Sequence, residues 1–431
     1  MKKILSVLLV LIMVLSLCAC GGAKVPEGQL LVGFGRVDLS PATYQNITLV
    51  GYGGNGTPPT PMTGILDRVY GTCIAVTDSS GTTALIYTLD TLFTLKSEVD
   101  QIRKVVTEKT GVPGENLVVS SIHTHASMNY GDITGYFDKM AQAAVDAIAD
   151  QAPARIQAGS TNIEGMNFVR HYVTENGIVV GDNFSTAATA DNPRVKHATE
   201  ADKQMQLIRF IREGDKKDIL LANWQAHPKV SSTGDTVSGQ AQRSFLSADF
   251  PGWCRKYVEE NADVLFAYYT GAAGNLNGRS MMREENATAP ELVNEYGTKL
   301  GGFVLEAMDK LADYTADQVS VKQQMFTVTP TGNGATVFEL TAIRFGDIGF
   351  ASVPFEMFDT NGMEIKAGSD CKTTFVITCA SMPSHEYIPA QYMWDYDTGS
   401  QTAYELSSCK HERGTAEKVA AELVSMLKGL K

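Results

Sequence analysis

Histidine and cysteine are both scarce in this chain of 431 residues, with 7 of each. Two of the cysteines, Cys18 and Cys20, fall in the first twenty residues. The other five, Cys73, Cys254, Cys371, Cys379 and Cys409, are widely spaced with no CxxC pair, which argues against a cysteine-built metal site. Their odd number leaves at least one unpaired, although a disulfide among Cys371, Cys379 and Cys409 is compatible with an exported protein. Positive charge is also short: 36 Lys and Arg face 48 Asp and Glu, for a net charge of −12, and no basic run occurs. That balance excludes nucleic acid as an expected partner. After the N-terminal region no segment is apolar enough to span a bilayer. There is no GxSxG elbow and no phosphate-binding P-loop. One glycine-rich stretch, residues 51–56, fits G-x-G-x-x-G, but Thr57-Pro58-Pro59-Thr60-Pro61 follows it. Those prolines cannot open the helix that a dinucleotide site needs.

The chain opens with Met1-Lys2-Lys3, an apolar run over residues 4–17 and Cys18-Ala19-Cys20-Gly21-Gly22. A basic start, an apolar run under about 18 residues and small residues after it describe a secretory signal rather than a membrane span. Leu17-Cys18-Ala19-Cys20 resembles a bacterial lipobox, in which Cys20 becomes the lipidated first residue. The expected organisation is a signal peptide over 1–19, a tether over 20–29 and one large domain over 30–431. A ten-residue tether reaches roughly 35 Å when extended, which keeps the domain near a membrane surface in the cell envelope.

Beyond the tether, strand-like and helix-like segments alternate. Residues 30–35, 71–77, 83–89, 116–122, 205–212, 217–226, 263–270, 336–345, 348–353 and 373–379 read as strands. Helices are expected at 100–110 with Gly111 as the stop, at 136–152, from Asp249 as N-cap, at 298–311 and at 416–430. The pattern predicts an α/β fold with mixed sheets covered by helices.

The chemistry concentrates where apolar strands end. The run 116–122 delivers His123-Thr124-His125, and on an extended chain residues i and i+2 share a face. The run 217–226 delivers His227-Pro228; 347–353 delivers Pro354-Phe355-Glu356; 373–380 leads to Ser384-His385-Glu386-Tyr387. Strand ends are where α/β folds place their sites, and neutral imidazole is the commonest side-chain metal ligand. Two histidines and a carboxylate with an open position describe a catalytic zinc site. Each residue also has a plain alternative: a histidine bonded to nearby backbone, or a glutamate in a helix's first turn.

Together these segments resemble the catalytic domain of the neutral/alkaline, non-lysosomal ceramidases, from about Val32 to the C-terminus. Ile122-His123-Thr-His125-Ala-Ser is similar to that family's HTHSGP signature, and Gln225-Ala-His227-Pro228 to its second histidine motif. Val353-Pro-Phe-Glu356 resembles its glutamate motif, and Tyr387-Ile-Pro with Ala403-Tyr404-Glu405 its paired tyrosines. The resemblance implies zinc held by His123, His227, Glu356 and Tyr387. It also implies His125, Tyr404 and Arg170 about the substrate, with Asn275 and Asn277 on the loop aligned with GDVSPN, while His171 has no implied role. Here Asn277 stands where that family has serine, and Ala126-Ser127-Met128 replaces Ser-Gly-Pro. The chain stops where that family usually adds an immunoglobulin-like domain.

The expected activity is hydrolysis of an N-acyl amide, with a small-molecule or lipid substrate, by a zinc-activated water. His125 or Glu356 would move the proton, and Asn277 cannot be a nucleophile. Two alternatives stand beside it: an envelope amidase or esterase on a non-ceramide substrate, and a non-catalytic ligand-binding surface lipoprotein.

Overall fold

Strand-forming runs from distant parts of the chain meet in one nine-stranded sheet. Its members are β1 (Leu30–Asp38), β2 (Tyr70–Thr77), β3 (Thr83–Leu89), β4 (Leu117–Ser121), β5 (Ala152–Asn162), β6 (Gln204–Arg212), β7 (Asp218–Trp224), β8 (Val264–Thr270) and β9 (Ala312–Tyr314). The spatial order is β8-β7-β6-β5-β1-β2-β3-β4, with β9 beside β5. Pairing is antiparallel except for β7 with β8 and β3 with β4. A second sheet holds β10 (Val319–Thr327), β11 (Val337–Phe345), β12 (Ile348–Ser352) and β13 (Thr373–Ile377) in that order, with β12 and β13 parallel. This computed structural model describes residues 29–51, 60–177, 179–181, 193–232, 244–278, 289–396 and 403–431. The signal peptide, Cys20, the tether up to residue 28 and residues 52–56 of the glycine-rich stretch lie outside the described residues.

Side-chain alternation sorts the two faces of each sheet. One face of the larger sheet packs on α1 (Lys96–Thr110), α2 (Tyr136–Ala149), α3 (Asp249–Asn261) and α4 (Ala289–Met308), through Val99, Ile102, Met140, Phe250, Val258 and Val304. Its other face meets the smaller sheet through Val32, Ile74, Ile86, Ile208, Phe345, Phe350 and Phe375. The smaller sheet's outer face is covered by α5 (Asp359–Gly368) and α8 (Thr415–Lys428), through Ile365, Val419 and Leu423. Two short helices, α6 (Gln391–Tyr396) and α7 (Tyr404–Ser408), lie between them in sequence. The result is four layers: helices, sheet, sheet, helices. Among the described residues no helix is long and apolar enough to cross a membrane.

Twist brings the two edges of the larger sheet together. Thr88 Oγ1 donates to Tyr268 O at 2.7 Å, and Thr270 Oγ1 donates to Ile122 O at 2.6 Å. The Asn223 side chain of β7 acts as an extra peptide unit for β13: it donates to Val376 O and accepts from Val376 N, both at 3.0 Å. These side-chain bonds bring the ends of β4, β7, β8 and β13 to one place.

Several sequence expectations shift. The helix expected to run to Ala152 ends at Ala149, and Ala152 instead begins β5. Asp249 is not the cap of α3. It opens the helix at φ 56°, and its carboxylate accepts from the amides of Val230 and Ser231 at 3.2 and 2.8 Å as well as from Phe250 N. The disulfide that the sequence leaves open among Cys371, Cys379 and Cys409 is not formed, since all five described cysteines are free. Strand β10 has no counterpart in the sequence expectations.

Candidate metal centre

His123 and His125 do converge, but not through the strand's period of two. Strand β4 ends at Ser121, and His123 has φ 68°, a left-handed conformation uncommon for a side chain this large. The turn sets the two rings edge to face with centroids 4.9 Å apart. His227 arrives from β7, its amide bonded to Leu276 O at 3.0 Å. Glu356 and Tyr387 arrive together because they are register partners in a short parallel pair, Glu356–Met357 with Tyr387–Ile388. Gly274 lets the chain pass behind Glu356: a Cβ there would lie 2.6 Å from Glu356 O. Gly51 does the same for His125, whose carbonyl oxygen would be 1.9 Å from such a Cβ. That glycine, taken from the false dinucleotide pattern, serves this site instead.

Each imidazole is held by its Nδ1. His123 Nδ1 donates to Leu92 O at 2.6 Å, His125 Nδ1 to Gly51 O at 2.7 Å and His227 Nδ1 to Ala273 O at 2.8 Å. A backbone carbonyl on one nitrogen fixes the tautomer and frees the other nitrogen's lone pair, the usual support for a metal-bound histidine. The metal-facing atoms of His123, His125 and His227 lie within 4.8 Å of one another. A tighter set sits inside this group. His123 Nε2 is 3.1 Å from His227 Nε2, and Glu356 Oε2 is 3.0 and 3.1 Å from them. Tyr387 Oη is 3.3 Å from His227 Nε2. Four donors about 2.0–2.2 Å from one tetrahedral zinc sit roughly 3.3 Å apart, so these spacings fit such an ion. With their Nδ1 protons committed, the two Nε2 lone pairs and the carboxylate would repel unless a cation lay between them.

The charges agree with that. Burial pushes the Glu356 carboxyl up, but His123, His227 and His385 outweigh it and hold the group well below the usual range. Burial likewise opposes a charge on His123, yet Glu356 beside it holds the imidazole well above the ordinary histidine range. Without a metal, the pair therefore keeps a proton that a metal would displace. His227 is pushed down to about 3 by burial and then by Arg170. His125 is held well below its usual value by burial and its two imidazole neighbours.

The other expected residues divide. The Arg170 guanidinium lies 5.2 Å from the Tyr387 ring centroid, and Tyr404 meets that ring edge to face at 5.5 Å. Asn275 stands behind the site: its Nδ2 donates to Asp359 Oδ1 at 2.7 Å and Tyr392 Oη at 3.0 Å, using both amide protons within the protein. Asn277 lies on the short strand Leu276–Asn277, bridged to His227. His171, given no role from sequence, shares Glu405 with Arg170: its Nε2 is 3.0 Å from one carboxylate oxygen while Arg170 Nε donates to the other at 2.6 Å. Three residues of the site were not assigned from sequence: Glu405, His385, whose Nε2 is 2.7 Å from Glu356 Oε1, and Cys379, whose Sγ is 3.6 Å from His123 Nδ1. His385 had a usable signal, being a scarce residue just past β13 and two positions before Tyr387.

Two solved structures share this architecture. One, described as a ceramidase complexed with C2, matches with a TM-score of 0.72 and 14% identity over 94% of this chain and 75% of its own. The other, neutral ceramidase from Pseudomonas aeruginosa, matches with a TM-score of 0.72 and 13% identity over the same shares. The chain has the neutral ceramidase fold. No protein-family model and no curated protein matches it. The neutral ceramidase likeness is thus carried by the course of the backbone, which spans nearly all of the chain.

Proposed function

We propose that the chain is a zinc-dependent hydrolase of amide bonds, ceramidase-like in its substrate class, that works at an extracytoplasmic surface to which lipidated Cys20 tethers it. One observation carries this reading: two carbonyl-anchored imidazoles, Glu356 and Tyr387 set their donor atoms at the spacings of a tetrahedral ion. The shared neutral ceramidase fold supports it.

Zinc bound by His123, His227, Glu356 and Tyr387 would supply a Lewis acid and a water acidified to about pKa 7. Around it, His125 offers the unprotonated Nε2, since its Nδ1 proton is on Gly51 O. Its depressed proton affinity makes it a relay, which passes the attacking water's proton on to the leaving nitrogen rather than keeping it. Glu356 has both oxygens engaged and stays anionic. Tyr404 keeps its phenol proton, because burial and then Glu356 push its pKa up. It is the donor for the developing oxyanion, with Arg170 next to it. Hydrolysis of an N-acyl amide that stops on chelation and returns with zinc is the expected result. Full turnover by metal-free protein contradicts it.

A second reading, an amidase or esterase for a non-ceramide substrate, is favoured by the loop of Asn275 and Asn277. With Asn275 spent on Asp359 and Tyr392, and Asn277 where the resembled family has serine, that loop has no hydroxyl nucleophile. An acyl-chain and headgroup screen separates the two.

A further inference from the structure

Glu356 is a buried carboxylate whose two oxygens have different neighbours. Oε2 faces His123 Nε2 at 3.0 Å and His227 Nε2 at 3.1 Å, while Oε1 faces His385 Nε2 at 2.7 Å. His385 reaches in from the solvent side, with its side chain 40% exposed against 2% for Glu356. Its ring stacks on Phe93, centroids 5.5 Å apart and planes 24° apart. Phe93 follows Leu92, whose carbonyl holds His123. One segment thus supports both a histidine of the centre and the histidine outside it. The loop carrying His385 is anchored on both sides. Met382 N donates to Thr94 O at 2.9 Å, and Glu386 is paired with His411 Nδ1 at 3.1 Å, fully buried.

We infer that His385 is a positioning residue that keeps Glu356 a one-oxygen ligand and so keeps the metal's remaining position open. This rests on the zinc reading above. A carboxylate can bind a metal through one oxygen or both, and the second oxygen would occupy the place a water or substrate carbonyl needs. The His385 N–H holds Oε1 on the far side of the carboxylate, so that Oε2 alone turns to the centre. Outer-shell partners of this kind are typically worth 10–100-fold in metal affinity or activity. His385 lies two residues before Tyr387, on the loop that delivers that ligand.

The test compares wild type, His385→Ala and His385→Gln, each loaded with zinc for X-ray absorption and with Co2+ for its visible spectrum. Circular dichroism checks that each variant is folded. In His385→Ala the expected coordination number rises and the Co2+ d–d bands weaken. Its kcat on an N-acyl amide falls about 10–100-fold, with KM changed less than about threefold. His385→Gln, which keeps an N–H donor, recovers most of both signals. A His385→Ala protein with unchanged spectra and kcat overturns the inference, as does a His385→Gln protein as impaired as His385→Ala. A wild type that takes up neither metal overturns it together with the zinc reading. A loaded wild type matched by its alanine variant overturns this inference alone.

Discussion

His123 combines a left-handed backbone, a carbonyl-anchored Nδ1 and an Nε2 turned to a carboxylate. Asp249, Cys379 and Ser381 share that backbone region, at φ 55–56°, and Cys379 touches His123. Backbone strain of about 1–3 kcal/mol per residue is typical of functional sites, and here it re-aims strand-end side chains that the strand's own alternation would misdirect. Deeper in the wall, Arg170 and His171 are tied to Glu405, which burial pushes up but Arg170 and His171 hold well below the usual carboxylate range. Glu405→Ala leaves a buried guanidinium without that partner, so unfolding in urea should show a loss of about 3–5 kcal/mol. A loss under about 1 kcal/mol contradicts the pairing. His123 and His227 stand out in the sequence because histidine is scarce and each one follows an apolar strand. The Arg170–Glu405 pair does not, since its partners are 235 positions apart and no local pattern links them.

At the scale of elements, the strands that read clearly are those with long apolar runs. β6, β7, β8, β11 and β12 fall within a few residues of their expected bounds. β10 carries no clear strand signal because it is the edge of its sheet, and the run VSVKQQMFT exposes Lys322, Met325 and Thr327 around two half-buried glutamines. β5 carries its buried face on small residues, Ala152, Ala154 and Ala158 with Ile156, which read equally well as a helix continuing from α2. What no propensity encodes is the closure between the edges. The Thr270 hydroxyl on Ile122 O fixes the chain just past β4, one residue before His123. Thr270→Val keeps the shape but leaves that buried carbonyl without this donor. It should cost about 1–3 kcal/mol and weaken zinc binding in a competitive chelator titration. Unchanged zinc affinity would show that the closure does not set the site.

Over the whole molecule, four layers bury carboxylates far from the centre, and these set how stability varies with pH. Glu98, in α1, bonds to the Tyr136 hydroxyl and is raised by burial from 4.5 to about 7. Its folded form therefore binds a proton between about pH 4.5 and 7 that the unfolded chain has released, and stability falls as pH rises through that window. The loss is about 3–4 kcal/mol. Glu405 works in the other direction and only at lower pH, where its stabilisation is lost as pH falls below the usual carboxylate range. Glu98→Gln should therefore flatten the wild-type decline between pH 5 and 8 in urea midpoints. Parallel profiles for the two proteins contradict the assignment.

The fold class was legible in the sequence because apolar periodicity reports layers, and the site segments stood out as polar residues just past apolar strands. Tyr387 was placed only by resemblance, and its pairing with Glu356 needed the three-dimensional register. In the proposed function these segments together hold one metal ion. Elemental analysis of the soluble form beginning after Cys20, beside His123→Ala and His227→Ala, tests it most directly. Wild type should carry about one zinc per chain, lost in both variants while their folds persist. A wild type that stays metal-free after incubation with zinc, or variants that retain the ion, would contradict it.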